Sequence, residues 1–397
     1  MTYVVLVLFV ATLVTAQDDP SYQVCYPEVG CFSTGYPWNR TVDRENNTFF
    51  TPKIAPPPRS PQELNNSITL FNRKTGFQDG ILIYRKQALG NLNQLNIEKK
   101  IIMIPHGYDG FINNIFLLDM REAILKKEDV NILMIGWGAL TGPDNFAQSV
   151  SDIRVVGAEM AGVIETLRQY FNSSLYIELV SLSIGVPLLG YIGKSLKNLE
   201  AKPVQLIVGL DPVGIGFEGV PEIRLTNTDA EFVVVVHTDC DVLGTYTRQG
   251  DVDFFMNGCV DQPGCQRNGS SVEEHTCSHL KAVEYFTKSL SSDDCELWGQ
   301  QLYTNPCKGH PSRRPQTSLI SACSDNACSS LGDPLILPGR GDIIVDTTKS
   351  CSTLENIKLS EYKQARSVAC NPTNEFRPRN CTKKCSSEIR NSANNQK

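Results

Sequence analysis

Ile177-Glu-Leu-Val-Ser181-Leu-Ser183-Ile-Gly185-Val-Pro187-Leu-Leu-Gly190-Tyr-Ile-Gly193-Lys194 is the stretch that decides how this chain is read. A short β-forming run (Ile177, Leu179, Val180) leads to Ser183, and Gly185, Gly190 and Gly193 give the next segment a small-residue helical pattern. Strand, sharp turn, serine and helix together are the layout of a nucleophile elbow. Such a turn holds the hydroxyl clear of the backbone, at a helix N-terminus whose N–H groups can receive an oxyanion. The usual pattern is G-x-S-x-G, with small residues on either side so that strand and helix pack closely. Here it reads Ser181-Leu-Ser183-Ile-Gly185: the second small position is kept and the first is a serine.

Working outward, the pattern from about 98 to 240 is strand, helix, strand, repeated. Ile101-Ile-Met-Ile104 is a continuous apolar run ending in Pro105-His106-Gly107-Tyr108. Helical periodicity follows over 111–126, then an apolar strand at 131–135 and a long amphipathic helix over 149–170. After the elbow come apolar runs at 204–209 and 232–236. Continuous apolar strands separated by helices predict a mostly parallel sheet buried on both faces. Function is then expected at the carboxyl ends of the strands. His106-Gly107-Tyr108, Ser183 and Asp211 fall there.

The first residues, 1–16, read as a signal peptide: an apolar run from Val4 to Val14 ends in Val14-Thr15-Ala16, although no Lys or Arg precedes it. That run is too short for a transmembrane anchor and none follows it. A secreted, extracellular chain is expected. The fourteen cysteines and six N-x-S/T sequons (Asn39, Asn46, Asn65, Asn172, Asn268, Asn380) agree with export. A net charge of −6 gives no sign of a nucleic-acid partner. Cys25 and Cys31 open the mature chain, and the remaining cysteines run from Cys240 onward. Residues 17–350 are read as one catalytic domain, and 351–397, with Cys351, Cys370, Cys381 and Cys385, as a short cysteine-containing tail.

Several short motifs then fall into one order. They are Cys25-Tyr-Pro-Glu-Val-Gly-Cys31-Phe, His106-Gly-Tyr108, Asp152-Ile-Arg-Val-Val-Gly-Ala158, Gly209-Leu-Asp211-Pro212 and His237-Thr-Asp239. Asp253-Phe-Phe-Met-Asn-Gly258, Cys277-Ser-His279-Leu-Lys-Ala282 and Pro338-Gly-Arg-Gly-Asp342 complete them. In these motifs the chain resembles the secreted lipases of the pancreatic lipase family, over about 25–348. The resemblance implies an α/β-hydrolase fold with a disulfide-rich C-terminal part. No C-terminal PLAT domain is expected, and hence no helper protein of the kind that docks there in larger relatives. The partner expected is a lipid substrate at a membrane or micelle surface.

Serine ester hydrolysis needs a base for the hydroxyl proton, an acid to hold that base, and donors for the oxyanion. Ser183 is the candidate nucleophile. The resemblance implies Asp211 as the acid and His279, in a loop after Cys277, as the base, in the order Ser, Asp, His. His237 is a rival base among five histidines, but it ends a valine run and reads as structural, as does His106. His275 and His310 carry no motif. The oxyanion donors are expected to be the backbone N–H groups of Tyr108 and Ile184. No cofactor is expected. The calcium site of some family members is degraded here: Glu222, Arg224 and Asp229 remain, Thr226 replaces a carboxylate, and one residue is missing between 222 and 224. No metal is expected. Further departures are Ser181, Leu182 before the nucleophile where histidine is usual, Pro187, and Gly136 in place of an aspartate.

The resemblance pairs Cys25 with Cys31, Cys265 with Cys277, Cys295 with Cys307 and Cys323 with Cys328; Cys240 and Cys259 could tie a further loop. The Cys265–Cys277 loop corresponds to the lid over the active site. It is short and polar, holding Arg267, Asn268, Glu273 and Glu274 against a single Val272. A lid opening onto an oil droplet needs an apolar face. In this family a reduced lid goes with phospholipase A1 activity, so cleavage of the sn-1 ester of phospholipids is the expected function. A triacylglycerol or galactolipid lipase, and an inactive lipid-binding or storage relative, are the alternatives.

Overall fold

The computed structural model describes residues 22–43, 52–108, 110, 112–138, 145–172, 175–265 and 272–291, with Val5–Leu6, Trp298–Gln301, Cys328–Ser330, 331, Gly341–Val345 and 347. Most of the expected signal peptide lies outside these residues, as do the tail 351–397, His310, the lid residues 266–271 and the Cys295–Cys307 and Cys323–Cys328 pairings.

Eleven strands carry the description: β1 (Gln23–Tyr26), β2 (Gly30–Ser33), β3 (Ser67–Asn72), β4 (Gly76–Arg85), β5 (Ile101–Pro105), β6 (Asn131–Gly136), β7 (Ile177–Ser183), β8 (Leu206–Pro212), β9 (Phe232–His237), β10 (Val252–Met256) and β11 (Gly341–Val345). The helices are α1 (Pro61–Leu64), α2 (Ile115–Lys127), α3 (Phe146–Tyr170), α4 (Gly185–Asn198) and α5 (Val272–Ser291). The main sheet runs β4-β3-β6-β5-β7-β8-β9-β10-β11, with short pieces at both edges. From β6 to β11 every neighbour is parallel, while β3 and β4 pair antiparallel at one side. This is the mostly parallel sheet expected from the apolar runs, in the α/β-hydrolase arrangement that the resemblance implies.

The runs are continuous because both faces are covered. In β5, Ile101 and Met103 point into one core and Ile102 and Ile104 into the other. The first core takes its helical residues from α3 and α4, through Val155, Val163, Leu188 and Ile192. The second takes them from α2 and α5, through Leu117, Met120, Ala282 and Phe286. Val233 to Val236 are fully buried, and each such side chain contributes about 1.5–3 kcal/mol of transfer free energy.

The N-terminal hairpin β1–β2 is bridged by Cys25–Cys31 and lies on this core. Arg59 grips the fully buried Asp152 of α3 with its Nε (2.8 Å), its Nη2 (2.6 Å) and its backbone N–H (2.8 Å). Arg154 donates to the Ser33 carbonyl at 2.7 Å. The Asp152-Ile-Arg154 motif is thus the anchor that fixes the amino-terminal segment to α3. Among the described residues no helix is long and apolar enough to cross a membrane.

One expectation needs correction. His279 does not lie in a loop: it sits inside α5, whose first turns include part of the predicted lid loop. The reason is the buried set Ala282, Val283, Tyr285 and Phe286, spaced as one helical face against the second core. That face draws the preceding polar residues into the same helix.

Candidate active site

Ser183 ends β7, and its φ of +61° is left-handed, a conformation that costs a non-glycine residue about 1–3 kcal/mol. α4 starts two residues later with Ile184 as its N-cap. Strand, strained serine and helix N-terminus are therefore all present as the elbow reading requires. Asp211 occupies the corresponding place at the end of the adjacent parallel strand, also left-handed at φ +41°. A register shift between Leu182 and Ser183 sets Ser183 opposite Pro212, so serine and aspartate leave the sheet at the same edge.

α5 packs against both strands and brings His279 to this edge. Its Nδ1 lies 2.6 Å from Asp211 Oδ2, with the aspartate wholly buried and the histidine 6% exposed. The second carboxylate oxygen accepts the backbone N–H groups of Thr238 (2.7 Å) and Asp239 (3.1 Å). Asp211 is thus held by three donors, which fixes its orientation and satisfies a charge that burial would otherwise penalise. Gly244 closes the other side: a Cβ there would stand 2.8 Å from each carboxylate oxygen.

The His106-Gly107-Tyr108 loop lies against the elbow, with a hypothetical Cβ on Gly107 at 3.5 Å from Ser183 Cβ. His106 is held in place by contacts through both ring nitrogens. Its Nε2 accepts the Trp137 N–H at 3.2 Å, its Nδ1 lies 2.8 Å from the Gly107 carbonyl, and its ring stacks on Trp137. Burial pushes its imidazole below the ordinary range, as befits a neutral structural residue. Tyr108 packs edge-on against Phe146. His237, the rival base, is spent elsewhere: Nε2 meets Asp253 at 2.8 Å, Nδ1 meets the Thr245 carbonyl at 2.8 Å, and the ring stacks on Phe255.

Three contacts around the pair had no signal in the sequence. His275, one helical turn before His279, reaches Asp239 Oδ1 at 3.0 Å. Asp239, whose N–H holds Asp211, is therefore tied to the same helix that carries His279. The backbone donors of Thr238 and Asp239 were likewise hidden, because a backbone N–H has no residue-type signature. The pair Cys265–Cys277 is bridged, as expected, and Cys240–Cys259 is bridged as well.

A family model described as Lipase matches residues 22–334. The chain belongs to the lipase family. It is 30% identical over 332 residues to inactive pancreatic lipase-related protein 1 of Canis lupus familiaris, covering 78% of this chain and 66% of that one. Pancreatic lipase-related protein 2 of Cavia porcellus is 30% identical over 318 residues, 78% of this chain and 67% of the relative. Phospholipase A1 of Polybia paulista is 32% identical over 299 residues, 71% of this chain and 88% of the relative. The chain thus spans about two thirds of the length of these pancreatic relatives and most of the insect one.

Three of the departures from the lipase pattern fit their surroundings; nothing in the structure explains Leu182. Ser181 is fully buried and donates to the Pro105 carbonyl at 2.7 Å. A Cβ on Gly185 would fall 1.8 Å from that hydroxyl, so the serine fills the space that any side chain at 185 would need. Gly136 faces Ser67 Oγ, 2.8 Å from where its Cβ would be, so any side chain at this position requires Ser67 to turn its hydroxyl aside. Pro187 sits in the first turn of α4, where its missing N–H has no helical partner to lose. Of the sequon asparagines, Asn39, Asn65 and Asn172 are exposed; Asn46, Asn268 and Asn380 lie outside the described residues.

Proposed function

We propose that this lipase-family chain is a secreted serine esterase that releases the sn-1 acyl chain of phospholipids. The reading rests above all on the buried Asp211–His279 pair at 2.6 Å, at the strand edge that carries the left-handed Ser183. In the proposed reaction Ser183 Oγ attacks the ester carbonyl while His279 Nε2 takes its proton. Asp211 keeps the Nδ1–H tautomer and stabilises the imidazolium that forms. The N–H groups of Ile184 and Tyr108 receive the oxyanion. The proton then passes to the departing lysophospholipid oxygen, and water frees the fatty acid from Ser183.

The phospholipid preference is supported by the lid, where a 12-residue separation closed by a disulfide carries one aliphatic residue. A lid loop of so little apolar character gives a third acyl chain no wall to lie on. The name of the insect relative agrees with this choice. A second reading, a lipase fold without turnover, draws on the names of relatives such as the Canis protein and on the altered residues Ser181 and Leu182.

A serine-directed phosphonate applied to the purified protein separates these readings. Wild type is labelled and Ser183→Ala is not. Phosphatidylcholine labelled at each acyl position releases the sn-1 chain, with emulsified triolein at least about tenfold slower, a gap of ~1.4 kcal/mol. Absence of labelling in a folded wild type establishes the inactive reading, and faster triolein hydrolysis establishes a triacylglycerol lipase.

A further inference from the structure

The segment 222–229 lies directly on α4, the helix that follows the elbow. A Cβ on Gly190 would stand 2.9 Å from Leu225 Cα, and one on Gly193 only 2.1 Å from the Asp229 carbonyl oxygen. Asp229 is 1% exposed and needs a cation. Lys194 of α4 provides one: its Nζ lies 2.5 Å from Asp229 Oδ2 and donates to the Arg224 carbonyl at 2.7 Å. Lys197 Nζ adds a contact to Asp229 Oδ1 at 3.1 Å. Thr226 donates its N–H (2.9 Å) and its hydroxyl (3.1 Å) to Asp229 Oδ2.

The resemblance puts the calcium site of some family members at these positions, and the residues present do not fit that ion. Calcium takes roughly 6–8 oxygen ligands at about 2.3–2.6 Å. The carboxylate and carbonyl that would serve are already occupied by an ammonium, and Thr226 uses its hydrogens on the same carboxylate. The surrounding cavity, about 590 Å³, is lined by Lys194, Lys197, Arg224 and Arg248 against Glu222 and Asp229. A divalent cation would enter against that balance.

We infer that the Lys194 ammonium is the built-in cation of this site, replacing calcium in clamping segment 222–229 onto α4. The clamp is covalent on one side, because its cation belongs to the helix. It cannot be stripped by a chelator. The structural contribution of the site is therefore independent of calcium, and it does not depend on the catalytic reading above.

Thermal melting of the full chain in millimolar calcium and in EGTA tests this. Wild type melts at the same temperature in both. Lys194→Met melts roughly 5 °C or more lower, since the buried Asp229 loses its nearest counter-charge. Lys194→Met combined with Thr226→Asp removes the ammonium and adds a carboxylate, and calcium then raises its melting temperature by several degrees. A wild type stabilised by calcium overturns the inference, as does a Lys194→Met protein that melts with the wild type. A folded double variant indifferent to calcium also overturns it. Should the Lys194 variants not fold, the wild-type comparison alone decides.

Discussion

Gly185→Ala is the most direct test of how this elbow is packed. The added methyl would lie 1.8 Å from Ser181 Oγ, 2.9 Å from Ser181 Cβ and 3.2 Å from the His106 carbonyl. Ser181 must then swing its hydroxyl away from the Pro105 carbonyl, or α4 must lift from β7. The first response leaves a buried hydroxyl and carbonyl unpaired, about 1–3 kcal/mol, and the second is overpacking of similar size. Alanine's better helix propensity returns under ~1 kcal/mol, less at a helix start. A net loss of about 2 kcal/mol is expected. Ser181→Gly alone loses one buried hydrogen bond and stiffens nothing in return, about 1–2 kcal/mol. In the double variant the hydroxyl is gone and the methyl occupies its space, so the double costs about as much as Ser181→Gly alone. The cycle should give a favourable coupling of about 2 kcal/mol. Urea denaturation of the four proteins measures it, and esterase activity should fall in Gly185→Ala and return in the double variant. Additivity within ~0.5 kcal/mol, the behaviour of independent sites, would refute the shared-space reasoning.

Two further outcomes follow from the buried acids. Asp211→Asn keeps an acceptor for Thr238 and Asp239 but turns an amide toward His279 Nδ1, forcing the wrong tautomer; activity should fall about 10⁴-fold. Melting should change little, and histidine nitrogen NMR should report the tautomer; unchanged activity would remove Asp211 from the proposed triad. Glu159 on α3 has its carboxyl pushed up from 4.5 to about 7, chiefly by burial, with Tyr84 and Asn66 hydrogen bonds opposing. Because its folded value is the higher one, the folded state binds more protons between those two values, and stability falls as pH rises through that window. The loss is roughly 3 kcal/mol. Glu159→Gln should flatten this slope in denaturation curves at pH about 5 and about 8, whereas parallel curves for the two proteins would contradict it.

The sheet was legible because its strands are apolar on both faces. Runs such as Ile101 to Ile104 and Val233 to Val236 admit few other homes, and the serine turn and Asp211-Pro212 mark their carboxyl ends. The helix around His279 was not legible. Its first residues, Val272-Glu-Glu-His-Thr-Cys-Ser-His279, carry one aliphatic position and read as a polar loop. The apolar face that makes them helical begins only at Ala282. The Lys194 contact was hidden for a different reason. The reading sought ligands along 222–229, while the group that satisfies Asp229 comes from another element, 35 residues earlier.

The residue types announced a sharp turn at Ser183 but not that Asp211 shares its left-handed backbone, and the candidate site depends on both. Ser183 and Asp211 both stand at positive φ, at the ends of adjacent parallel strands. Each conformation is unfavourable by about 1–3 kcal/mol for a residue with a Cβ, so it persists only where the surroundings over-determine it. Around Ser183 those surroundings are the buried residues 177–181 of β7, the close fit of Gly185 to Ser181, and α4 held from its far end by Lys194 and Asp229. Around Asp211 they are the two N–H groups after β9, the histidine, and the close approach of Gly244. Ser181 and Gly185 act on one wall of the elbow and Lys194 on the distant end of its helix. Loosening the wall should therefore disturb the serine while leaving the Asp211–His279 pair intact. Gly185→Ala should accordingly lose phosphonate labelling before it loses the His279–Asp211 hydrogen-bonded proton seen by NMR.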